Sequence, residues 1–199
     1  MTLARPGLLL LPILFGLVAG CSDGSGDGSA FESLGDDYEN LVDDIEGEDY
    51  TDPASLPTTG TARYEGVVGL DFESVDSGDL EAFDMSGDIE LTVNFAGSGD
   101  PITGRAGNFV TSDDEAVDGA LIIDDGVIDR GANPDDSFTY TADMDGVLTT
   151  EDGTNWDVDT YLLGDFSGEE HEHALGYVGG TGCTAAGCGL VDGGFVAER

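Results

Sequence analysis

The sequence predicts an all-β protein, a single small eight-stranded antiparallel β-barrel preceded by one short amphipathic helix. After residue 58, apolar residues alternate with polar ones, as in Ile89, Leu91, Val93 and Phe95. This period of two is typical of strands with one buried face. Turn sequences rich in Gly, Asp, Asn and Pro separate the alternating segments. Glycines inside the segments suit the curvature of a closed barrel.

Residues 1–20 are predicted to be a lipoprotein signal peptide. Arg5 supplies the positive charge, and a run of 14 apolar or small residues follows from Gly7 to Gly20. This run is shorter than the roughly 20 residues that a membrane-spanning helix needs. Val18 to Cys21 resembles the lipobox of bacterial lipoproteins, which makes Cys21 the expected lipidated N-terminus, carrying palmitate. An ordinary cleaved signal and a short membrane anchor are the alternatives.

Three segments connect the signal to the predicted barrel. Residues 21–30, rich in Ser, Gly and Asp, are expected to form a flexible acidic tether. Residues 31–47 are predicted to form the amphipathic helix, because apolar residues recur there at helical spacing, and Ser29 with Glu32 matches a capping box. Residues 48–57 are a linker that contains Pro53 and Pro57.

The barrel domain is predicted to occupy residues 58–199. Its alternating segments are 64–70, 89–95, 102–110, 117–124, 137–143, 146–150, 155–166, 172–178 and 194–198. Asp145-Gly146 is interpreted as a turn between two of them. The faces opposite the apolar rows carry residues such as Glu90 and Asp157. This pattern predicts a barrel with water outside and a filled interior, in which Trp156, Tyr161 and Phe166 pack.

The charge of the chain is extreme. It contains 43 acidic residues, five arginines and no lysine, which gives a formal net charge of −38. Nucleic acid is excluded as a partner, because its phosphates require a cationic surface. Contact with a membrane is expected through the N-terminal lipid rather than through the protein. Repulsion between copies also favours a monomer.

The three cysteines and two histidines supply the other candidate sites. If Cys21 is lipidated, Cys183 and Cys188 remain, and they are predicted to form a disulfide in an oxidising compartment. A pair of zinc ligands is the alternative. His171 and His173 would point to the same face if both lay on a strand, which makes them candidate metal ligands, alone or with the two cysteines.

Other chemistry has weak support in the sequence. Asp143, Asp145 and Gly146 match part of a calcium-binding turn, but Thr141 occupies the first ligand position. No nucleophile elbow and no phosphate-binding loop with its lysine is found. We therefore predict no enzymatic activity and no cofactor.

Several motifs resemble the β-barrel domain of the transferrin-binding protein B family. Residues 59–66 (TGTARYEG) are similar to its opening strand, and residues 91–95 (LTVNF) and 102–104 (ITG) to its next two strands. Residues 164–168 (GDFSG) and the closing residues 193–199 (GGFVAER) are similar to later strands of the family. The resemblance implies a bacterial surface lipoprotein that binds or displays a ligand. The two-lobed receptors of that family also contain handle domains, for which this chain has no segment.

These observations predict a non-enzymatic lipoprotein of the bacterial outer membrane, lipid-anchored and either periplasmic or surface-exposed. The barrel is expected to bind a partner protein or a small ligand through its loops or its helix-covered rim. Two alternatives are a lipoprotein that captures zinc or calcium and a structural acidic surface protein.

Overall fold

A computed structural model of the chain describes residues 29–74, 82–96 and 99–199 and shows a closed eight-stranded antiparallel barrel. Each strand pairs with the next, and β8 pairs with β1. The elements are α1 (Ala30–Ile45), β1 (Thr61–Ser74), β2 (Phe83–Asn94), β3 (Ile102–Thr111), β4 (Asp118–Ile128), β5 (Tyr140–Thr149), β6 (Asn155–Ser167), β7 (His173–Cys183) and β8 (Cys188–Glu198). The predicted fold class is therefore confirmed. The predicted signal peptide, Cys21 and almost all of the predicted tether lie outside the described residues.

Helix α1 begins at the capping box that the sequence predicts. Ser29 Oγ accepts a hydrogen bond from the backbone N–H of Glu32 at 3.0 Å, and Glu32 Oε2 accepts one from the N–H of Ser29. The helix begins one residue before the predicted start and ends two residues before the predicted end. The chain reverses just afterwards at Gly47, whose φ of +91° suits a glycine. No helix among the described residues combines the length and hydropathy required to cross a membrane.

The helix packs against the outside of the barrel, where it contacts β8, β1, β2 and β3. Its Phe31 is buried, and the N–H of Phe31 donates to Asp114 Oδ1 in the turn between β3 and β4. Val67 and Val196 alternate with inward-facing residues and so point outward, yet both are buried. Tyr38 directs its hydroxyl at Gly194, where an added Cβ would lie 3.0 Å from the oxygen. The apolar stripe of the helix thus faces the barrel wall, with Phe31 buried and the other apolar residues partly covered.

The interior of the barrel is filled by side chains, as predicted. Tyr140 and Phe166 pack with ring centroids 4.9 Å apart near one end, and Phe72 and Trp156 pack at 5.1 Å near the other. Each large apolar side chain buried in this way contributes about 1.5–3 kcal/mol. Tyr161 was expected to join them, but this prediction is wrong. It lies between buried Thr160 and Leu162 on β6, so it points outward and is 43% exposed.

One predicted turn is wrong. Asp145-Gly146 lies inside β5, so the segments 137–143 and 146–150 belong largely to a single strand. A Cβ added at Gly146 would lie 2.4 Å from the carbonyl oxygen of Ala120 on β4. The glycine is required there by the close approach of two strands, and not by a change in chain direction.

The predicted disulfide is confirmed. Cys183 ends β7 and Cys188 begins β8, and the two residues are cross-strand partners in the last pair of that hairpin. The bond lies at the end of the barrel opposite to the one where β1 begins and β8 ends.

Carboxylates face one another across strands on the outer wall. Asp71 on β1 is the register partner of Asp192 on β8 and of Asp84 on β2. Like charges in such positions are destabilising. Partial burial, followed by repulsion from Asp84, raises the pKa of Asp71 to about 6.

We predict that Asp71→Asn stabilises the protein above pH 6. The folded state holds the Asp71 proton more tightly than the unfolded state, so wild-type stability falls as pH rises from about 4 to about 6. Asp71→Asn removes this loss of stability. Its free energy of unfolding should exceed that of wild type by about 1 kcal/mol at pH 8, after solvent screening of a half-exposed group is allowed for. Urea unfolding at pH 8 and pH 4 measures the difference, which should nearly vanish at pH 4.

Asp118→Asn provides the matched control, because Asp118 is also on the outer wall but is paired with Thr149. It should change stability by less than about 0.5 kcal/mol at either pH. An Asp71→Asn variant no more stable than wild type at pH 8 would contradict the assigned repulsion.

Candidate functional site at the connector end of the barrel

Residues 46–57, which follow α1 and are here called the connector, are attached to the rim of the barrel. Tyr50 forms an antiparallel bridge with Ser167, and the N–H of Thr51 donates to the carbonyl oxygen of Phe166 at 2.9 Å. The pairing of β5 with β6 reaches only as far as Gly164, so the connector continues the sheet beside the last residues of β6. The hydroxyl of Thr51 also donates to the carbonyl oxygen of Gly168 at 2.7 Å.

Arg130 fastens the other end of the connector. It lies half-buried in the loop between β4 and β5 and donates to the carbonyl oxygens of Leu56, at 2.7 Å, and Pro57, at 2.6 Å. A third hydrogen bond, 3.1 Å long, reaches the carbonyl oxygen of Phe95 after β2. One guanidinium group thus joins the connector to two loops of the same barrel end.

The attached connector and the turn after β6 form a groove of about 320 Å³. Its lining consists of Glu48, Asp49, Tyr50, Thr51, Asp52, Ser55, Gly168 and Glu169. Four of these eight residues are carboxylates, and the others supply two hydroxyls, a phenol and backbone. Such a surface attracts positively charged groups and accepts hydrogen bonds from them.

Glu48 is held in place at the edge of this groove. Its Oε2 lies 3.1 Å from Nδ1 of His173 and 3.3 Å from the hydroxyl oxygen of Ser167. The side chain of His173 is only 12% exposed. The first residue of β7 therefore positions a carboxylate of the connector.

The two histidines do not lie on one strand face, so this part of the metal prediction is wrong. His173 begins β7, whereas His171 lies in the preceding turn with a φ of +50°. Nη1 of Arg199 donates to Nε2 of His171 at 3.1 Å, and the imidazole packs edge-on against Phe95. Burial, and then the charge of Arg199, lower the pKa of His171. Because a guanidinium group can only donate, Nε2 of His171 accepts this hydrogen bond.

The proposed combination of the histidines with the cysteines is also wrong. Cys183 and Cys188 are bonded to each other at the opposite end of the barrel, so they provide no thiolate near His171 or His173. Within residues 29–74, 82–96 and 99–199, no group of three or more His, Cys, Asp or Glu side chains is arranged to hold a metal ion. Binding of a metal by His171 and His173 themselves stays a prediction.

The calcium-binding turn is not formed either. Asp143 and Asp145 both lie in β5 and point outward from exposed positions, so their carboxylates do not converge as ligands of a loop do. In this chain the glycine after two alternating aspartates marks a close strand contact and not a turn.

Sequence reasoning missed Arg130 and the groove. Arg130 is one of five basic residues in the chain, and it lies in a loop between two strands. That rarity is the only signal that could have singled it out. Its partners are backbone carbonyl groups, which every residue has, so the sequence does not identify them.

We predict that Arg130→Met destabilises the protein by about 2 kcal/mol, because three half-buried carbonyl oxygens lose a charged donor. Urea unfolding at pH 7 measures the effect. Arg63→Met is the matched control, since Arg63 is 59% exposed and pairs with Glu65 and Glu90 on the surface. That change should cost less than about 1 kcal/mol. An equal decrease in the free energy of unfolding in the two variants would contradict the anchoring role of Arg130.

Comparison with known proteins does not assign a family to the chain. No protein-family model matches it, and no curated protein matches it either. The resemblance to the transferrin-binding protein B barrel stays a prediction from sequence motifs. The function is therefore inferred from the groove and from the charge of the chain.

Proposed function

We propose that this chain is a non-enzymatic lipoprotein of the bacterial outer membrane that binds a positively charged ligand in the connector groove. The barrel serves as a rigid scaffold, and the lipid on Cys21 holds it at the membrane. The ligand is a small amine or a basic side chain of a partner protein. The groove, with four carboxylates on a connector and turn fastened to the barrel, is the observation that carries this proposal.

The charge of the chain supports a cationic ligand. A protein with a net charge of −38 creates a negative potential around its whole surface, and a concave site concentrates that potential. The carboxylate of Glu48 is already oriented by His173 and Ser167. Binding therefore costs less ordering of side chains than it would on an open surface.

Both histidines near the groove contact charged partners at the rim. The imidazole of His173 contacts Glu48, and that of His171 contacts Arg199 on the rim. Both rings are thus engaged by charged partners of the protein itself. The contacts stabilise the rim and position a carboxylate, which is what a binding site requires.

Removing two carboxylates from the groove should weaken binding of spermidine, a simple triamine probe. Calorimetry on the full chain carrying Asp49→Asn and Glu169→Gln should give an affinity about fivefold lower than that of wild type, since each exposed ion pair contributes about 0.2–1 kcal/mol. The control carries Asp118→Asn and Glu151→Gln, which remove the same charge at the opposite end of the barrel. Equal affinities for the two double variants would contradict a ligand site in the groove.

Cys21→Ala tests the membrane anchor. Cells of a Gram-negative host fed a palmitate analogue should label the wild-type chain and not the variant, because lipidation requires the thiol of that cysteine. Wild-type protein should fractionate with the outer membrane. Label retained on the Cys21→Ala variant would contradict the lipoprotein assignment, whatever the outcome of the spermidine experiment.

A further inference from the structure

Two exposed tyrosines lie on adjacent strands on the outer wall of the barrel. Neither of them lines the connector groove. Tyr161 on β6 is 43% exposed, and Tyr177 on β7 is 38% exposed. Both belong to the outward-facing residues of their strands. We call Tyr161, Tyr177 and the glycine between them, Gly179, the tyrosine patch.

Gly179 allows both aromatic rings to lie against the wall. It is the register partner of Tyr161 and lies two residues after Tyr177 on the same face. A Cβ added at Gly179 would come within 2.7 Å of Cε1 of Tyr177 and 2.9 Å of the Tyr161 hydroxyl oxygen. Any larger residue would push the rings away, so the glycine keeps two ring faces close together on the surface.

Carboxylates flank the tyrosine patch on both sides. Asp143 on β5 is the register partner of Tyr161, and Asp192 on β8 is the register partner of Gly179. The hydroxyl of Tyr177 donates to Asp192 Oδ1. Asp143, Tyr161, Gly179 and Asp192 thus form one row across four neighbouring strands.

The arginines of the described residues lie away from the row. Arg63 pairs with Glu65 and Glu90, and Arg199 approaches Glu170. Arg130 is bound to carbonyl oxygens of the connector and of Phe95. Arg105 lies on β3, where its guanidinium is close to Gly107. The carboxylates of the row are therefore available to cations of a partner.

The chemistry of the patch selects a cation with a planar or compact charged group. The face of an aromatic ring attracts guanidinium and ammonium groups, and nearby carboxylates add to that attraction. A neutral apolar partner would bury Asp143 and Asp192 without compensation. An anionic partner would be repelled by the same groups.

The spacing of the row fits an extended peptide. Asp143 and Asp192 are three strand intervals apart, which corresponds to a path of about 14 Å along the curved wall of the barrel. In an extended chain, residues i and i+4 point to the same side and are also about 14 Å apart, with residue i+2 midway between them. Cationic residues at i and i+4 would reach the two carboxylates, while the one at i+2 would lie over the tyrosine rings.

We propose that the tyrosine patch is a docking surface for an extended, arginine- or lysine-bearing polypeptide segment of a partner protein, with cationic residues at alternate positions. The proposal rests on the patch and its flanking carboxylates alone, and it holds whether or not the connector groove binds a ligand. The patch supplies two aromatic faces between carboxylates, and the partner supplies three regularly spaced cations.

NMR titration of the full chain with two short peptides tests this surface. The first peptide alternates three arginines with serines, and the second has the same composition with the arginines contiguous. Salt at about 0.1 M screens charges more than about 10 Å apart and so reduces unspecific attraction. The alternating peptide should bind more tightly than the contiguous one and should shift the resonances of residues in the row.

Tyr161→Leu should weaken binding of the alternating peptide about threefold, because the ring contributes about 0.5–1 kcal/mol to an exposed cation–π contact. Tyr161→Phe retains the ring and should bind like wild type. Val147→Ala removes an apolar side chain that is 52% exposed elsewhere on the wall and should also bind like wild type. Thermal unfolding confirms that all three variants are folded.

Three outcomes would overturn the proposal. The first is a Tyr161→Leu variant that binds the alternating peptide as tightly as wild type. The second is equal affinity for the two peptides, because the spacing argument would then be wrong. The third is an equal dependence of spermidine binding on Tyr161, which would make the patch a site for small polyamines. The groove variant with Asp49→Asn and Glu169→Gln should bind the alternating peptide normally, which separates this result from the groove experiment.

Discussion

The pairing of β1 with β8 is the constraint on which the rest of the structure depends. These strands pair from Glu65 opposite Glu198 to Ser74 opposite Gly189, and they close the sheet into a barrel. Closure removes both free sheet edges and separates a dry inner face from an outer face that is covered by water or, in part, by α1. It also brings the start of β1 and the C-terminus to the same end. The connector and Arg199 must therefore meet the turn after β6 at that end, where the groove forms.

Repulsion between carboxylates on the outer surface destabilises this fold. Carboxylates occupy outward positions on strand after strand, and some, such as Asp71 and Asp192, lie directly opposite each other. Burial of the apolar core stabilises the folded state enough to offset this repulsion. A surface of this kind discourages association with other anionic molecules and favours cationic partners. The groove and the tyrosine patch are two places where shape adds to that general preference.

Local patterns predicted the features of this chain that depend on nearby residues. The period of two identified the barrel, Ser29 and Glu32 identified the start of the helix, and the short cysteine spacing indicated the disulfide. Features that depend on distant contacts were missed. Gly146 marks a close approach to β4 rather than a turn, His171 lies outside β7, and Arg130 binds carbonyl oxygens from two distant segments. Such contacts join residues that are far apart in the chain, so no short window of sequence contains them.

The central claim is that the connector belongs to the folded rim of the barrel and shapes a binding groove there. Hydrogen exchange of the Thr51 amide tests this claim directly, because that N–H donates to the carbonyl oxygen of Phe166. We expect exchange to be slowed at least about a hundredfold relative to an unstructured peptide, since a hydrogen-bonded amide exchanges only on local opening. Exchange of Thr51 at the unstructured rate, while amides of β6 stay protected, would show that the connector is detached and would contradict the account.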